Sequence, residues 1–322
     1  MRKRLLRGAA VVGIAAMLSG CITVNLPPGP GPLTETELSG SGSAKVLMLD
    51  LSGILSSTEG EGFYPAPSPV ARLKEALLKA AADSAVKAIL LRINSPGGTV
   101  TASDMLYHEL RMFKQKRNIP IVASILDVGA SGGYYVAMAA DTVMAHPSSV
   151  TGSLGVIMVT MNAQGLLEKI GVQAVAVTSG PRKDMGSPFR AMTDEERTIF
   201  QTVINGLYEQ FISVITQGRP NLSADTIRKL ADGRIYSGEQ AKAAGLIDGI
   251  GYLEDAVELA KKRAGVAEAR LVVYQQMGEY RHNIYSRLTG PPDRGAWNAL
   301  THFDLMALVR SGTPQFMYLW MP

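Results

Sequence analysis

Four stretches of the chain set glycine beside serine directly after an apolar, strand-like run: Asn94-Ser95-Pro96-Gly97-Gly98, Ala130-Ser131-Gly132-Gly133, Gly152-Ser153-Leu154-Gly155, and Ser179-Gly180 followed by Lys183-Asp184. A serine hydroxyl can attack a carbonyl when a base takes its proton and main-chain N–H groups receive the oxyanion that forms. Ser131 is the first candidate. It falls between a strand and an apparent helix, where one reading makes it a plain N-cap. Gly132 and Gly133 oppose that reading. They would fill the first helical turn, where each glycine costs up to about 1 kcal/mol against alanine, and paired glycines mark a place where backbone or ligand comes close. A serine at a helix start also faces the positive end of the helix dipole, which favours developing negative charge. The 94–98 stretch reads either as a tight Pro-Gly turn or as an oxyanion hole, with the N–H groups of Gly97 or Gly98 unshielded by side chains.

Histidine is the usual base for a serine. The four histidines are His108, inside an amphipathic helical pattern, His146, just before Pro147, and His282 and His302, in an irregular C-terminal region. None sits in a glycine-rich loop, so each reads as structural or surface, and attention passes to lysine. Lys183 follows Ser179-Gly180-Pro181-Arg182 in a loop. It is either a solvated loop lysine or a general base. A lysine amine at its ordinary value of about 10.4 is neutral in only about four molecules in ten thousand at pH 7. Burial or a cationic neighbour has to bring it to about 7–8 before it can serve. Arg182 is a candidate for that neighbour, and Asp184 would oppose it. Chemistry of this kind calls for no metal, nucleotide or other cofactor, and the single cysteine, Cys21, supplies neither a disulfide nor a cysteine metal site.

The elements that must position these residues follow from the hydrophobic pattern. Short apolar runs at 46–51 (VLMLDL), 86–93 (VKAILLRI), 119–126 (IPIVASIL), 143–146 and 156–161 predict strands. Helical spacing predicts helices over 70–82, 101–117 and 134–140. Such alternation points to an α/β domain with a largely parallel sheet. Beyond residue 191 the pattern turns helical. Thr193 with Glu196 forms a capping box that opens a long helix to about residue 216, and Ser237 with Gln240 forms a second. A further helix is expected over 251–264 and a late strand over 271–274. Residues 278–322 are interrupted by Pro291, Pro292 and Gly295, and their apolar end, Phe316-Met317-Tyr318-Leu319-Trp320, needs a partner surface.

The net charge of +4 does not indicate a nucleic-acid partner. Arg2, Lys3, Arg4 and Arg7 stand ahead of any acid, and without those four the basic residues equal the 28 acidic ones. No basic stripe remains to grip phosphates. The segment 8–18 (GAAVVGIAAML) would span about 16 Å as a helix, roughly half a bilayer core, which suits a cleavable signal. Leu18-Ser19-Gly20-Cys21 resembles the lipobox of bacterial lipoproteins, in which the cysteine is acylated; the alternative is an uncleaved anchor over 5–26. The Pro-, Gly- and Ser-rich stretch 27–43 reads as a flexible tether. The expected organisation is a signal over 1–20, a lipid-anchored linker over 21–44, a catalytic domain over 45–265, and a C-terminal strand and tail over 266–322. That places the domain on the extracytoplasmic, periplasmic side of a bacterial envelope membrane.

Taken in order and spacing, six segments resemble the SppA-type signal peptide peptidases, relatives of the ClpP/crotonase fold. They are 94–98, Ala130 to Tyr135 (ASGGYY), Thr151 to Val156 (TGSLGV), Ser179-Gly180 through Lys183-Asp184, Met192-Thr193 with Glu195-Glu196, and the 232–248 stretch from Asp232-Gly233-Arg234 to Gly245-Leu246-Ile247-Asp248. The resemblance covers residues from about 45 to 264. It implies an α/β, ClpP/crotonase-like spiral of ββα units with a helical assembly region. It implies Ser131 as nucleophile, Lys183 as general base and Gly98 as oxyanion donor, with Gly97 and Gly132 lining the same place. It also implies a homo-oligomer, an octameric ring in which the lysine reaches its serine from a neighbouring subunit, acting on remnant signal peptides in or near the membrane. An apolar, narrow groove would favour small or aliphatic side chains. Two departures stand out: Gly129 replaces an alanine common in the family, and a lipid anchor replaces the usual spanning helix. A crotonase-like acyl-thioester enzyme and a non-catalytic envelope scaffold are the competing readings, the first disfavoured by a secretion signal.

Overall fold

The computed structural model describes residues 31–59, 67–276, 283–286 and 315–321. The chain divides into a short unit, Met1–Gly31, and a main unit, Pro32–Pro322; the main unit carries everything below. The signal segment, the alternative anchor, Cys21, His282 and His302 lie outside the described residues.

Six parallel strands form the centre of the main unit. They are β2 (Lys45–Leu55), β3 (Val86–Thr99), β4 (Ile121–Ala130), β5 (Thr142–Ala145), β9 (Gly249–Ile250) and β10 (Arg270–Gln275), in the order β10-β2-β3-β4-β5-β9. The sheet is covered on both faces, which is why its strands read as unbroken apolar runs. Alternate residues turn to opposite sides. Leu47, Leu49, Ile89 and Leu91 pack with α1 (Pro69–Ala82) and α2 (Val100–Arg117). Val46, Met48, Leu90 and Val122 pack with α8 (Leu253–Arg263). Each such side chain, taken wholly out of water, contributes roughly 1.5–3 kcal/mol. The predicted α/β class, with its parallel sheet, is what the chain adopts.

Local signals set the helix starts. Ser68 accepts the Ala71 N–H ahead of Pro69 at the head of α1, and Thr99 accepts the Ala102 N–H ahead of α2. Both predicted capping boxes are present. Thr193 and Glu196 open α5 (Asp194–Gly218), and Ser237 and Gln240 open α7 (Gly238–Ala243). Between them lies α6 (Ala224–Leu230).

Three elements differ from the sequence reading. Part of the predicted tether is a strand: β1 (Thr34–Ser39) pairs antiparallel with β10. It buries little, and main-chain bonds along the sheet edge hold it in place, a stabilisation that composition does not reveal. The 94–98 stretch is no tight turn but the end of β3, opposite β2, which runs on to Leu55 after a register shift between Ser52 and Ile54. The predicted strand over 156–161 shrinks to β7 (Ile157–Met158). The apolar chain end does find its partner surface. β11 (Phe316–Leu319) lies antiparallel to both β3 and β7.

Among the described residues, no helix is long and apolar enough to cross a membrane, and no group of three or more His, Cys, Asp or Glu could hold a metal ion.

Candidate active site

Ser131 occupies the turn between β4 and the short helix α3 (Gly132–Ala137). It is at the N-cap position, yet its side chain makes no cap bond. Its backbone, at φ 50° and ψ −113°, lies where L-residues seldom go, at a cost of about 1–3 kcal/mol. The neighbours impose this geometry. The Ser131 N–H donates to Gly152 O at 2.7 Å, and Ser131 O accepts from Tyr135 N–H at 2.9 Å. Gly152 ends β6 (Val150–Gly152), which lies parallel to β4, and the Thr151 hydroxyl donates to Gly129 O at 2.6 Å. The hydroxyl of Ser131 is buried and has no hydrogen-bond partner. A buried hydroxyl without a partner, on a strained backbone, is costly unless it serves chemistry.

The glycines around it are required by close approach. A methyl group on Gly132 would stand 2.4 Å from Ser103 Oγ, and one on Gly98 would stand 2.0 Å from Leu55 O. Gly97, at φ 105°, lies against the Gly132 N–H. The fold therefore brings Ser131, Gly132, Gly97 and Gly98 to one place, although Gly97 and Ser131 stand 34 positions apart in the chain.

Lys183 is placed differently. It is exposed, in a turn where its N–H donates to Gly180 O at 3.2 Å, and it makes no bond to Ser131 within the chain. Its two charged neighbours are engaged elsewhere: Arg182 pairs with Glu195, and Asp184 with Arg190. Arg190 is the fastener of this loop. Its Nε donates to Asp184 Oδ2 at 2.6 Å and its Nη1 to Glu196 Oε2 at 3.0 Å. Glu196 also accepts the Thr193 N–H at 2.9 Å. The Arg190 guanidinium is the main reason that the Glu196 carboxyl falls to about 2 and Asp184 lies below its ordinary range.

Of the described histidines, His108 is exposed on α2 and His146 bonds Ser148 Oγ at 2.8 Å; neither reaches Ser131. The sequence reading passed over an aromatic nest beside the glycines. Tyr318 of β11 is fully buried, stacked on Tyr135 with ring centres 5.1 Å apart and tilted against Phe211 at 4.6 Å. The one available signal was the apolar run at 316–320 itself, which demanded a partner without naming it.

A partnerless serine on a strained strand-to-helix turn, facing glycine backbone at the end of parallel strands, is the arrangement that hydrolases of the nucleophilic-serine class use. Comparison with known proteins narrows the class. The profile of Peptidase family S49 matches residues 113–267. A protein of Enterococcus faecium, provisionally named signal peptide peptidase SppA, is 38% identical over 232 residues, covering 72% of this chain and 67% of its own. A provisionally named protease of Methanocaldococcus jannaschii is 39% identical over 217 residues, covering 67% of this chain and 69% of its own. Protease 4 of Salmonella typhi is 33% identical over 237 residues, 74% of this chain but 37% of that longer protein. The chain belongs to peptidase family S49 and is a serine peptidase of ClpP/crotonase-like, α/β architecture.

Proposed function

We propose that this serine peptidase is an endopeptidase that degrades remnant signal peptides at an envelope membrane, with Ser131 as nucleophile and Lys183 of a neighbouring copy as general base. The observation that carries this reading is the Ser131 hydroxyl, strained, buried and without a partner beside Gly98 and Gly132. The substrate class rests on the signal peptide peptidase name of the Enterococcus faecium relative.

Ser131 Oγ attacks a peptide carbonyl while the neutral Lys183 amine takes its proton. The Gly98 N–H, with that of Gly132, holds the oxyanion. The lysinium then returns the proton to the leaving amine, and water, deprotonated by the same lysine, releases the acyl group from Ser131. An exposed Lys183 and a partnerless Ser131 within one chain favour supply of the amine by a second copy. So does the apolar surface near the lysine loop: α4 (Gln164–Lys169) and the chain beyond it expose Leu166, Ile170, Val172, Val175 and Val177. Contact with a neighbour would cover this surface and take the amine out of water, which lowers its proton affinity. An octameric ring, a lipid at Cys21 and a position on the extracytoplasmic face complete the proposal.

The test is substitution with two readouts. Ser131→Ala should abolish both peptide hydrolysis and labelling by a fluorophosphonate probe. Lys183→Ala should lower hydrolysis by about 10²–10⁴-fold while circular dichroism and particle size stay those of the unsubstituted chain. Wild-type rates in either variant would remove the mechanism.

A further inference from the structure

Two polar side chains just ahead of the oxyanion glycines take no part in the mechanism above, yet both bind main chain of a neighbouring strand. We propose, resting on the Ser131 reading, that Ser95 and Asn94 are positioning residues for the reaction. Ser95 decides which glycine N–H meets the oxyanion, and Asn94 holds the strand that delivers Ser131.

The ladder is irregular on both sides of this segment. Towards β2, Ser52 stands opposite Asn94 and Ile54 opposite Gly97, so Gly53 alone faces Ser95 and Pro96. Towards β4, Ile93 stands opposite Ile125 and Ser95 opposite Gly129, so Asn94 alone faces residues 126–128. Irregularities of this kind leave main-chain groups without ladder partners, and they gather beside active sites, where they re-aim the chain. Here a side chain fills each gap. The Ser95 hydroxyl, fully buried, donates to Gly53 O at 2.6 Å and accepts the Gly97 N–H at 3.1 Å. Asn94 Oδ1 accepts the Val128 N–H at 3.2 Å, while its Nδ2 donates to Asp127 Oδ2 at 2.8 Å.

These bonds act on the reacting groups in different ways. The sequence left Gly97 and Gly98 as alternative oxyanion donors. With the Gly97 N–H held by Ser95 Oγ, that role falls to Gly98. Ser95 also carries the start of α3, since a methyl on Gly133 would lie 2.7 Å from Ser95 O, and one on Gly97 would lie 2.7 Å from Gly132 N. A shift at Ser95 therefore moves the oxyanion glycines against the two glycines that follow Ser131. Asn94 acts on β4, which pairs with β5 up to Ile125 and with β6 from Val128. It grips the chain at that change of partner, three positions before Ser131. One amide supplies both the acceptor for Val128 and the donor for Asp127, which an ionised carboxylate cannot do. Side chains that merely filled the gaps would affect stability alone. Positioning residues act on the transition state, and their loss lowers kcat at constant KM.

The test uses full-length chains carrying Ser95→Ala, Asn94→Ala or Ser223→Ala. Ser223 accepts the Thr226 N–H at the head of α6, and its variant controls for lost stability. Three readouts are taken: kcat and KM on one fluorogenic peptide, inhibition by a peptide aldehyde of the same sequence, and binding of the uncleaved peptide to chains that also carry Ser131→Ala. The aldehyde adds to a serine hydroxyl and sets its oxygen on the oxyanion donors, so it reports the transition state. Ser95→Ala should lower kcat about 10²-fold, the loss that a misplacement of about 1 Å brings, and should weaken the aldehyde by the same factor, with KM and peptide binding unchanged. Asn94→Ala should lower both by about tenfold. Ser223→Ala should lower the thermal midpoint and leave all three readouts alone. Should Ser95→Ala fail to fold, Asn94→Ala, at a half-buried position, carries the comparison. An unaltered kcat in a folded variant, or a loss of peptide binding as large as the loss of kcat, overturns the role of that residue and leaves the Ser131 reading standing. An unsubstituted chain that binds the peptide, yet neither cleaves it nor takes up the aldehyde, removes the Ser131 reading and this inference with it.

Discussion

At Ser131 the backbone stores strain that a structural serine would have no reason to keep. Glycine tolerates φ 50° and ψ −113°, and alanine does not. Ser131→Gly and Ser131→Ala both remove the hydroxyl, but only the first relieves the backbone. The glycine variant should be more stable than the alanine variant by about 1 kcal/mol, which corresponds to a thermal midpoint roughly 2–4 °C higher, and both should be inactive. Equal midpoints would show that the turn is not strained. Ser131, Gly97, Gly98 and Gly132 were legible in the sequence because serine with paired glycine after an apolar run has few inexpensive explanations. Tyr318 was not. Its partners Tyr135 and Phe211 are far from it in the chain, and no local period announces an aromatic nest assembled from three elements.

Among the elements, the two capping boxes and the apolar strands could be read directly, since each is written in residues a few positions apart. The lysine loop could not. Arg190 lies six residues from both Asp184 and Glu196, in a stretch without periodicity, and only the fold shows that it ties the loop to the head of α5. β1 was hidden for the opposite reason, because its stabilising partners lie in β10, more than two hundred residues on. The Arg190 fastening has a pH signature. Glu196 has its carboxyl lowered to about 2 from an ordinary 4.5, so its contribution is complete above about 4.5 and disappears as pH falls through 2. The protection of amides 183–197 against hydrogen exchange, taken relative to the intrinsic rate at each pH, should therefore fall on acidification across that window, ahead of the sheet. Arg190→Ala should already exchange fast at pH 7 and should lower kcat about tenfold through a misplaced Lys183, with KM and overall stability little altered. Slow exchange in that variant would show that the loop holds without the arginine.

For the molecule as a whole, one chain brings Ser131 together with Gly97, Gly98 and Gly132, but leaves Lys183 exposed and the Ser131 hydroxyl without a partner. The exposed valines at 175 and 177, 83% and 97% accessible, lie on the same stretch of chain as the lysine loop, and a second copy that covered them would bring an amine toward its neighbour's serine. The α/β class was readable from alternating patterns, whereas whether copies complete one another depends on surfaces that only assembly tests. Mixing Ser131→Ala chains with Lys183→Ala chains, after dissociation and joint reassembly, addresses this most directly. Under the proposed mechanism each preparation alone should show at most about a hundredth of the unsubstituted rate. If the base comes from a neighbour, an equal mixture should recover about a quarter of the unsubstituted rate, because half the serines are intact and half of those face an intact lysine. A mixture as inactive as its components, from chains that do reassemble together, would contradict a dyad shared between subunits.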